Sequence, residues 1–166
     1  RAVGTFRALV FVGIFGIVGL LPFIKSELPL GFHNQSYLLL LTLTGVVIFF
    51  AAIFDFEALK RGKISIVEPV LGVELPITVA LSAIFAGEVL GLEQLILVFT
   101  TFLGIVLAVT VHHTHLHYHK RILEKGVILA GVGAVTMGLV NFLVGVSSQK
   151  ISPLMTIWFT NVIFTI

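Results

Sequence analysis

The chain has 166 residues, of which 58% are hydrophobic and 11% are charged, and its mean hydropathy is +1.16. A soluble domain typically has about 25% charged residues, so this sequence lacks the polar surface that a water-soluble globule needs. The net charge of +2 provides no soluble basic surface for nucleic acid. The lack of cysteine excludes disulfides and thiolate metal sites. We therefore predict an all-α integral membrane protein, a multi-helix transmembrane bundle.

The first apolar segment covers residues 5–24, and a loop rich in turn-forming residues follows at 25–36. Gly13, Gly16 and Gly19 recur at every third position. Such a stripe of small residues allows another helix to pack closely. We predict a packing role for this face.

The second segment covers residues 37–59 and ends in a basic turn at 60–63. Asp55 and Glu57 lie near its end, close to Lys60, Arg61 and Lys63. The favoured interpretation is a cluster of ion pairs at the membrane interface, which Glu68 of the next segment can join. The alternative is the mouth of a polar pathway.

The third segment, residues 64–88, contains an acidic residue far from either end. At about 1.5 Å per residue, Glu74 lies roughly 5 Å from the segment midpoint. A carboxylate at that depth costs about 2.5–3.5 kcal/mol on insertion scales, so it should face the bundle interior or a cavity. Thr78, Ser82 and Ala86 follow Glu74 at intervals of four and share its helix face. We predict that this polar face lines a binding site.

Two prolines lie within the same segment. Pro69 and Pro76 each remove a backbone hydrogen bond, near residues 65 and 72, and favour a kink. A kinked helix with freed carbonyls and a buried carboxylate is typical of the substrate-binding helices of transporters. The alternative is a protonated Glu74 that hydrogen-bonds a neighbour for packing alone.

The fourth segment, residues 92–111, is uncharged after Gln94 and is predicted to support the others. A basic loop at 112–125 follows and contains five histidines, His112, His113, His115, His117 and His119. Imidazole nitrogens bind Zn²⁺ or Ni²⁺, so a metal-ion or pH-responsive membrane protein is the alternative function. No acidic residue that would orient the ligands is identifiable, and we assign no metal site and no cofactor.

The fifth segment, residues 126–146, has a smooth face at intervals of four, formed by Gly126, Ala130, Ala134 and Gly138. Asn141 is the one strongly polar side chain in its deeper half, and packing and solute recognition are equally compatible with it. Residues 147–150 are predicted to form a loop. A sixth segment begins near Ser152 and is too short to span a bilayer, which takes roughly 20 residues, so we expect the sequence to be an excerpt.

The cations are unevenly divided between the two ends of the predicted helices. One end has only Lys25 and Lys150. The other has Arg1, Arg7, Lys60, Arg61, Lys63, Lys120, Arg121 and Lys125. The positive-inside rule predicts that the second end is cytoplasmic.

Several short motifs follow one another in a characteristic order. They are ALKRGKISIVEP at residues 58–69, then Pro76, FAGE at 85–88, Gln94 and Gly104. In this order they resemble the EamA-type domain of the drug/metabolite transporter superfamily. KGVILA at 125–130, MGLVNF at 137–142 and ISPL at 151–154 resemble the start of the next repeat.

The resemblance implies a ten-helix transporter built from two inverted five-helix repeats. Residues 1–111 would be a first repeat without its first helix, 112–125 the connecting loop, and 126–166 the start of the second repeat. About five complete helices and a truncated sixth would then be present. A family member with a cytoplasmic N-terminus would place the 60–63 turn outside, contrary to the charge count, so the orientation stays open.

The implied function is transport of small metabolites, amino acids or organic cations by alternating access across the inner or plasma membrane. By position, the substrate-binding residues would be Glu74, Thr78, Ser82 and Asn141. Glu74 would titrate, bind a cationic group, or both, and protons and the solute would be the partners besides the lipid bilayer. No nucleophile–base pair and no phosphate-binding glycine loop point to an enzyme. An assembly protein without a solute pathway is the third alternative.

Overall fold

A computed structural model describes residues 4–29, 34–87, 89–112 and 120–166 of the chain. Within these ranges the protein is helical and contains no strand. The α-helices are α1 (Thr5–Ile24), α2 (Gln35–Arg61), α3 (Ile64–Leu71), α4 (Glu74–Leu81), α5 (Leu92–His112), α6 (Lys120–Lys150) and α7 (Pro153–Thr165). A π-helical turn, Ser82–Ala86, extends α4. The predicted all-α class is confirmed.

Four helical stretches are long and apolar enough to cross a membrane: Arg7–Ile24, Gln35–Arg61, Ile64–Ala86 and Lys125–Lys150. Leu92–Leu107 and Pro153–Thr165 are shorter apolar helices. Large apolar side chains cover the outside of these helices; Phe15 is 75% exposed and Phe99 67% exposed. Such a surface is consistent with a membrane protein.

The chain divides into two compact units. The first unit comprises Arg1–Phe50 and Leu143–Ile166, and the second comprises Ala51–Phe142. In the first unit α1 packs against α7. A Cβ atom on Gly13 would lie 2.7 Å from the Asn161 carbonyl oxygen, and one on Gly16 would overlap the Asn161 side chain. The predicted small-residue stripe is therefore a helix-packing face at these two glycines.

Polar contacts in the first unit lie beside a small apolar core of Ile24, Leu41 and Met155. The hydroxyls of Thr44 and Ser147 are 3.3 Å apart and buried. Ser152 caps α7 by accepting a bond from the Met155 amide, and its own hydroxyl donates to Glu27. The prediction of a loop at 147–150 is wrong, because α6 continues to Lys150 and buries Ser147 against α2.

The second unit has a core in which Ala58, Val67 and Ala130 are fully buried. The smooth face predicted for the fifth segment is confirmed as a packing face, since its four small residues are all buried. At one end α6 meets the basic turn after α2 backbone to backbone: a Cβ on Gly126 would lie 2.6 Å from the Gly62 Cα. Small residues thus bring α6 close to α2 and α3.

The predicted connecting loop at 112–125 is wrong at its end, because α6 already begins at Lys120. No proline interrupts residues 120–125, and five of those six residues, all except Ile122, form helices readily. His112 is the last residue of α5. The other four histidines lie outside the described residues, as does Glu88.

Candidate functional site

The third span is broken at its centre, where the sequence has Gly72, Val73 and Pro76. Proline has no amide hydrogen to offer the Gly72 carbonyl, which instead accepts a long bond of 3.3 Å from the Leu75 amide. The helix stops at Leu71 and restarts at Glu74. The predicted loss of a backbone hydrogen bond near residue 72 is confirmed and coincides with a break in the helix, so that Glu74 is the first residue of α4.

The amide side chain of Asn141 on α6 lies beside the Glu74 carboxylate, where it can act as a hydrogen-bond donor. Both residues are partly buried. A hydrogen bond to a charged acceptor is roughly twice as strong as a neutral one, and an apolar surrounding strengthens it further. This pair joins the two residues that were predicted separately on the third and fifth segments, and it forms the centre of the candidate site.

Thr78 extends this polar contact by one helical turn. Its hydroxyl lies 2.8 Å from the Glu74 carbonyl oxygen and 3.2 Å from that of Gly138 on α6. A Cβ on Gly138 would lie 2.6 Å from Ile77 and 3.1 Å from the Glu74 carbonyl, so only glycine permits this approach. Glu74, Thr78 and Asn141 are therefore brought together where α4 meets α6.

Ser82 lies one turn beyond Thr78, where both residues line a cavity of about 280 Å³. The Gln94 side chain supplies a third polar group. Its Oε1 accepts a 3.0 Å bond from the Gly91 amide just before α5. The remaining lining is apolar: Val79, Leu90, Leu97 and Val98. This mixture of an apolar wall and a few polar groups is typical of small-molecule sites. Gln94 belongs to the motif series that suggested a transporter, but its side chain was not selected as a site residue.

Asp55 differs from its predicted role in an ion-pair cluster. Its Oδ1 atom is buried and has no hydrogen-bond partner among the described residues, and it lies against the backbone of Gly133 on α6. The carboxylates of Glu74 and Glu68 act on it electrostatically. Residues two apart on a helix point in opposite directions, so Asp55 faces α6 whereas Glu57 faces the basic turn.

Glu57 forms the ion pairs that were expected at this end of α2. Its carboxylate oxygens lie 2.9 Å from Lys60 Nζ and 2.9 Å from the Arg61 guanidinium. The predicted ion pairs are thus confirmed for Glu57, and the prediction is wrong for Asp55. Asp55 instead lies at the interface with α6 and, like Gln94, was not selected as a site residue from the sequence. Within the described ranges, no group of three or more His, Asp or Glu side chains could hold a metal ion.

The chain is 32% identical over 98 residues to the uncharacterized protein MJ1333.1 of Methanocaldococcus jannaschii. The match covers 59% of this chain and 72% of that protein. No protein-family model matches the chain, and no solved structure matches it.

Proposed function

The chain belongs to the same protein family as the archaeal protein MJ1333.1, and we propose that it is a transporter of small polar or cationic solutes in the cell membrane. The observation that supports this most directly is the Glu74–Asn141 pair at the break of an apolar, membrane-length helix. Ionisable residues within membrane spans are rare and mark solute or proton pathways.

The break itself supports the proposal. Helices that are interrupted near the midplane form the binding sites of many secondary transporters, because the interruption exposes backbone and side-chain groups to a solute. Glu74 stands at such an interruption, and Thr78 and Ser82 continue the polar face into a cavity. Solute enters through this cavity and reaches the carboxylate.

The cavity limits the class of solute. Its volume of about 280 Å³ lies at the lower end of ordinary ligand pockets, so a metabolite, an amino acid or a small organic cation fits. Its walls contain Thr78, Ser82 and Gln94 as hydrogen-bonding groups and no charge, and Glu74 lies one turn away. A carboxylate beyond a neutral, partly apolar pocket favours a solute with one cationic group and a small uncharged body.

The resemblance to EamA-type domains provides the architecture that we propose for the transport cycle. Two inverted repeats of five helices would alternate access to the site, and residues 126–166 would begin the second repeat. Asn141 then contributes a contact from the second repeat to a carboxylate from the first. The solute competes with the Asn141 amide for Glu74, and a proton replaces it when the carboxylate is empty.

The test is uptake by the protein reconstituted in proteoliposomes, with a panel of amino acids, nucleosides and organic cations and with or without a pH gradient. Wild type is compared with Glu74→Gln and with the matched control Glu93→Gln, which changes an exposed glutamate in the first turn of α5. We expect uptake of a cationic solute by wild type and by Glu93→Gln, and an uptake at least about tenfold lower in Glu74→Gln. Equal uptake by the two variants would contradict the proposed site.

A further inference from the structure

The basic end of the second unit is built around a contact of two glycines. Gly62 follows α2, and Gly126 lies six residues into α6; a Cβ on Gly126 would lie 2.7 Å from the Gly62 nitrogen and 3.0 Å from the Arg61 carbonyl carbon. No side chain fits between the backbones here. Lys63 follows Gly62 and Lys125 precedes Gly126, so the glycine contact brings two lysine-bearing segments of the chain together. Both lysines are exposed.

Positive charge prevails at this end. The segments 57–63 and 120–125 contain six cations and two carboxylates in the sequence, and Glu68 adds one exposed carboxylate. Glu57 is already engaged by Lys60 and Arg61 at 2.9 Å, and the side chains of those two cations remain 47% and 54% exposed. Lys63 and Lys125 thus add exposed positive charge beside an ion-pair cluster whose carboxylate is already occupied.

The location of this positive charge indicates what kind of partner it binds. Lys63 lies between the membrane-length helices Gln35–Arg61 and Ile64–Ala86, and Lys125 is the first residue of the span Lys125–Lys150. Three spans therefore end at this cluster, at the depth where lipid headgroups lie. Basic clusters between helices at the membrane surface bind the phosphates of anionic lipids, and each lysine strengthens binding about fivefold at low salt.

We propose that Lys63 and Lys125, with Lys60 and Arg61 beside them, form a binding surface for the phosphate headgroup of an anionic phospholipid. The glycine contact brings the cations of α2 and α6 together, so that one headgroup bridges the two helices. This surface is separate from the proposed solute site, because none of its residues lines the cavity.

The test measures which lipids stay with the purified protein. The wild-type protein is placed in nanodiscs that contain equal amounts of phosphatidylglycerol and phosphatidylcholine. It is then released from the nanodiscs, and its retained lipids are identified by native mass spectrometry. We expect a ratio of retained phosphatidylglycerol to phosphatidylcholine well above one, and a ratio at least about fivefold lower in Lys63→Gln/Lys125→Gln. The matched control is Lys25→Gln/Lys150→Gln, which removes two exposed lysines of the first unit and should leave the ratio unchanged.

Two outcomes would overturn the proposal: an unchanged ratio in Lys63→Gln/Lys125→Gln, or an equal decrease in the control. A third measurement on wild type needs no variant. Because the contact is electrostatic, salt should lower the ratio; a ratio that salt does not change contradicts the proposal. Inorganic phosphate is added as a competitor, and complete displacement of the lipid by phosphate alone would show a site for free phosphate instead.

Discussion

The Asn141 side chain lies beside the Glu74 carboxylate as a potential hydrogen-bond donor, and this contact joins α6 to the break in the third span. Each residue alone would be a polar group left in an apolar span. Together they can satisfy one another, and the contact lies on the face of α6 that packs against α4 through Gly138. The contact is consequently both a packing feature and the polar centre of the candidate site.

We expect a strong energetic coupling between these two residues. Asn141→Leu removes the donor and leaves the carboxylate without this bond, which should destabilise the protein by about 1–3 kcal/mol. In a Glu74→Leu background the same change should have little effect, because no carboxylate remains to be satisfied. Unfolding in detergent of wild type, both single variants and the double variant measures the coupling. Additive effects would show that the two side chains act independently.

Gly133 and Gly131 of α6 form a matched pair for substitution, because only Gly133 is closely packed. A Cβ on Gly133 would lie 3.2 Å from Leu71 and would overlap Asp55 Oδ1, whereas a Cβ on Gly131 meets nothing within 4 Å. We expect Gly133→Ala to destabilise the protein by about 1–3 kcal/mol through overpacking. Gly131→Ala should be neutral or should stabilise it by up to about 1 kcal/mol, since alanine favours the helix. Thermal unfolding of both variants tests this prediction. Equal unfolding midpoints for the two variants would contradict the close contact of α2 and α6.

The buried, unpaired oxygen of Asp55 predicts an unusual response to mutation. Asp55→Asn keeps the shape of the side chain and removes its charge, so at alkaline pH the variant should unfold at a higher temperature than wild type. Glu57→Gln removes a carboxylate that is paired with Lys60 and Arg61 at the exposed end of the same helix, and it should change the midpoint little. A lower midpoint for Asp55→Asn would mean that the charge of Asp55 is satisfied in the native state.

We expect Pro76 to lower the stability of the protein and to be needed for transport. Pro76→Ala supplies the amide that the Gly72 carbonyl lacks, so α3 and α4 can join into one helix and stability should rise by up to about 3 kcal/mol. Uptake should fall, because Glu74 would leave the break. Pro69→Ala is the control, since Pro69 lies within α3, before the break, and its loss should not lower uptake. Full uptake by Pro76→Ala would show that the break is not needed.

The sequence was sufficient to predict the features that depend on local spacing. The intervals of four in Gly126, Ala130, Ala134 and Gly138 identified a packing face, and Pro76 identified the break, because helical periodicity and the missing proline amide act within one segment. The polar face of Glu74, Thr78 and Ser82 followed from the same periodicity.

The features that depend on tertiary packing could not be predicted in this way. The partner of Asn141 depends on how α6 is rotated against α4, and the sequence of neither helix specifies that rotation. Asp55 was assigned to the cations nearest in the chain, whereas the continuous helix α2 turns it toward Gly133. α6 continues to Lys150 and places Ser147 against Thr44, 103 positions away, and no local pattern specifies that contact.

The central claim is that Glu74 binds the transported solute and the exchanged proton in turn. The most direct measurement records internal pH, with a fluorescent dye, when the transported solute is added to proteoliposomes containing wild type or Glu74→Gln. We predict a solute-dependent proton movement with wild type and none with Glu74→Gln, although the variant stays folded and inserted. Proton movement of the same size in both proteins would contradict the claim.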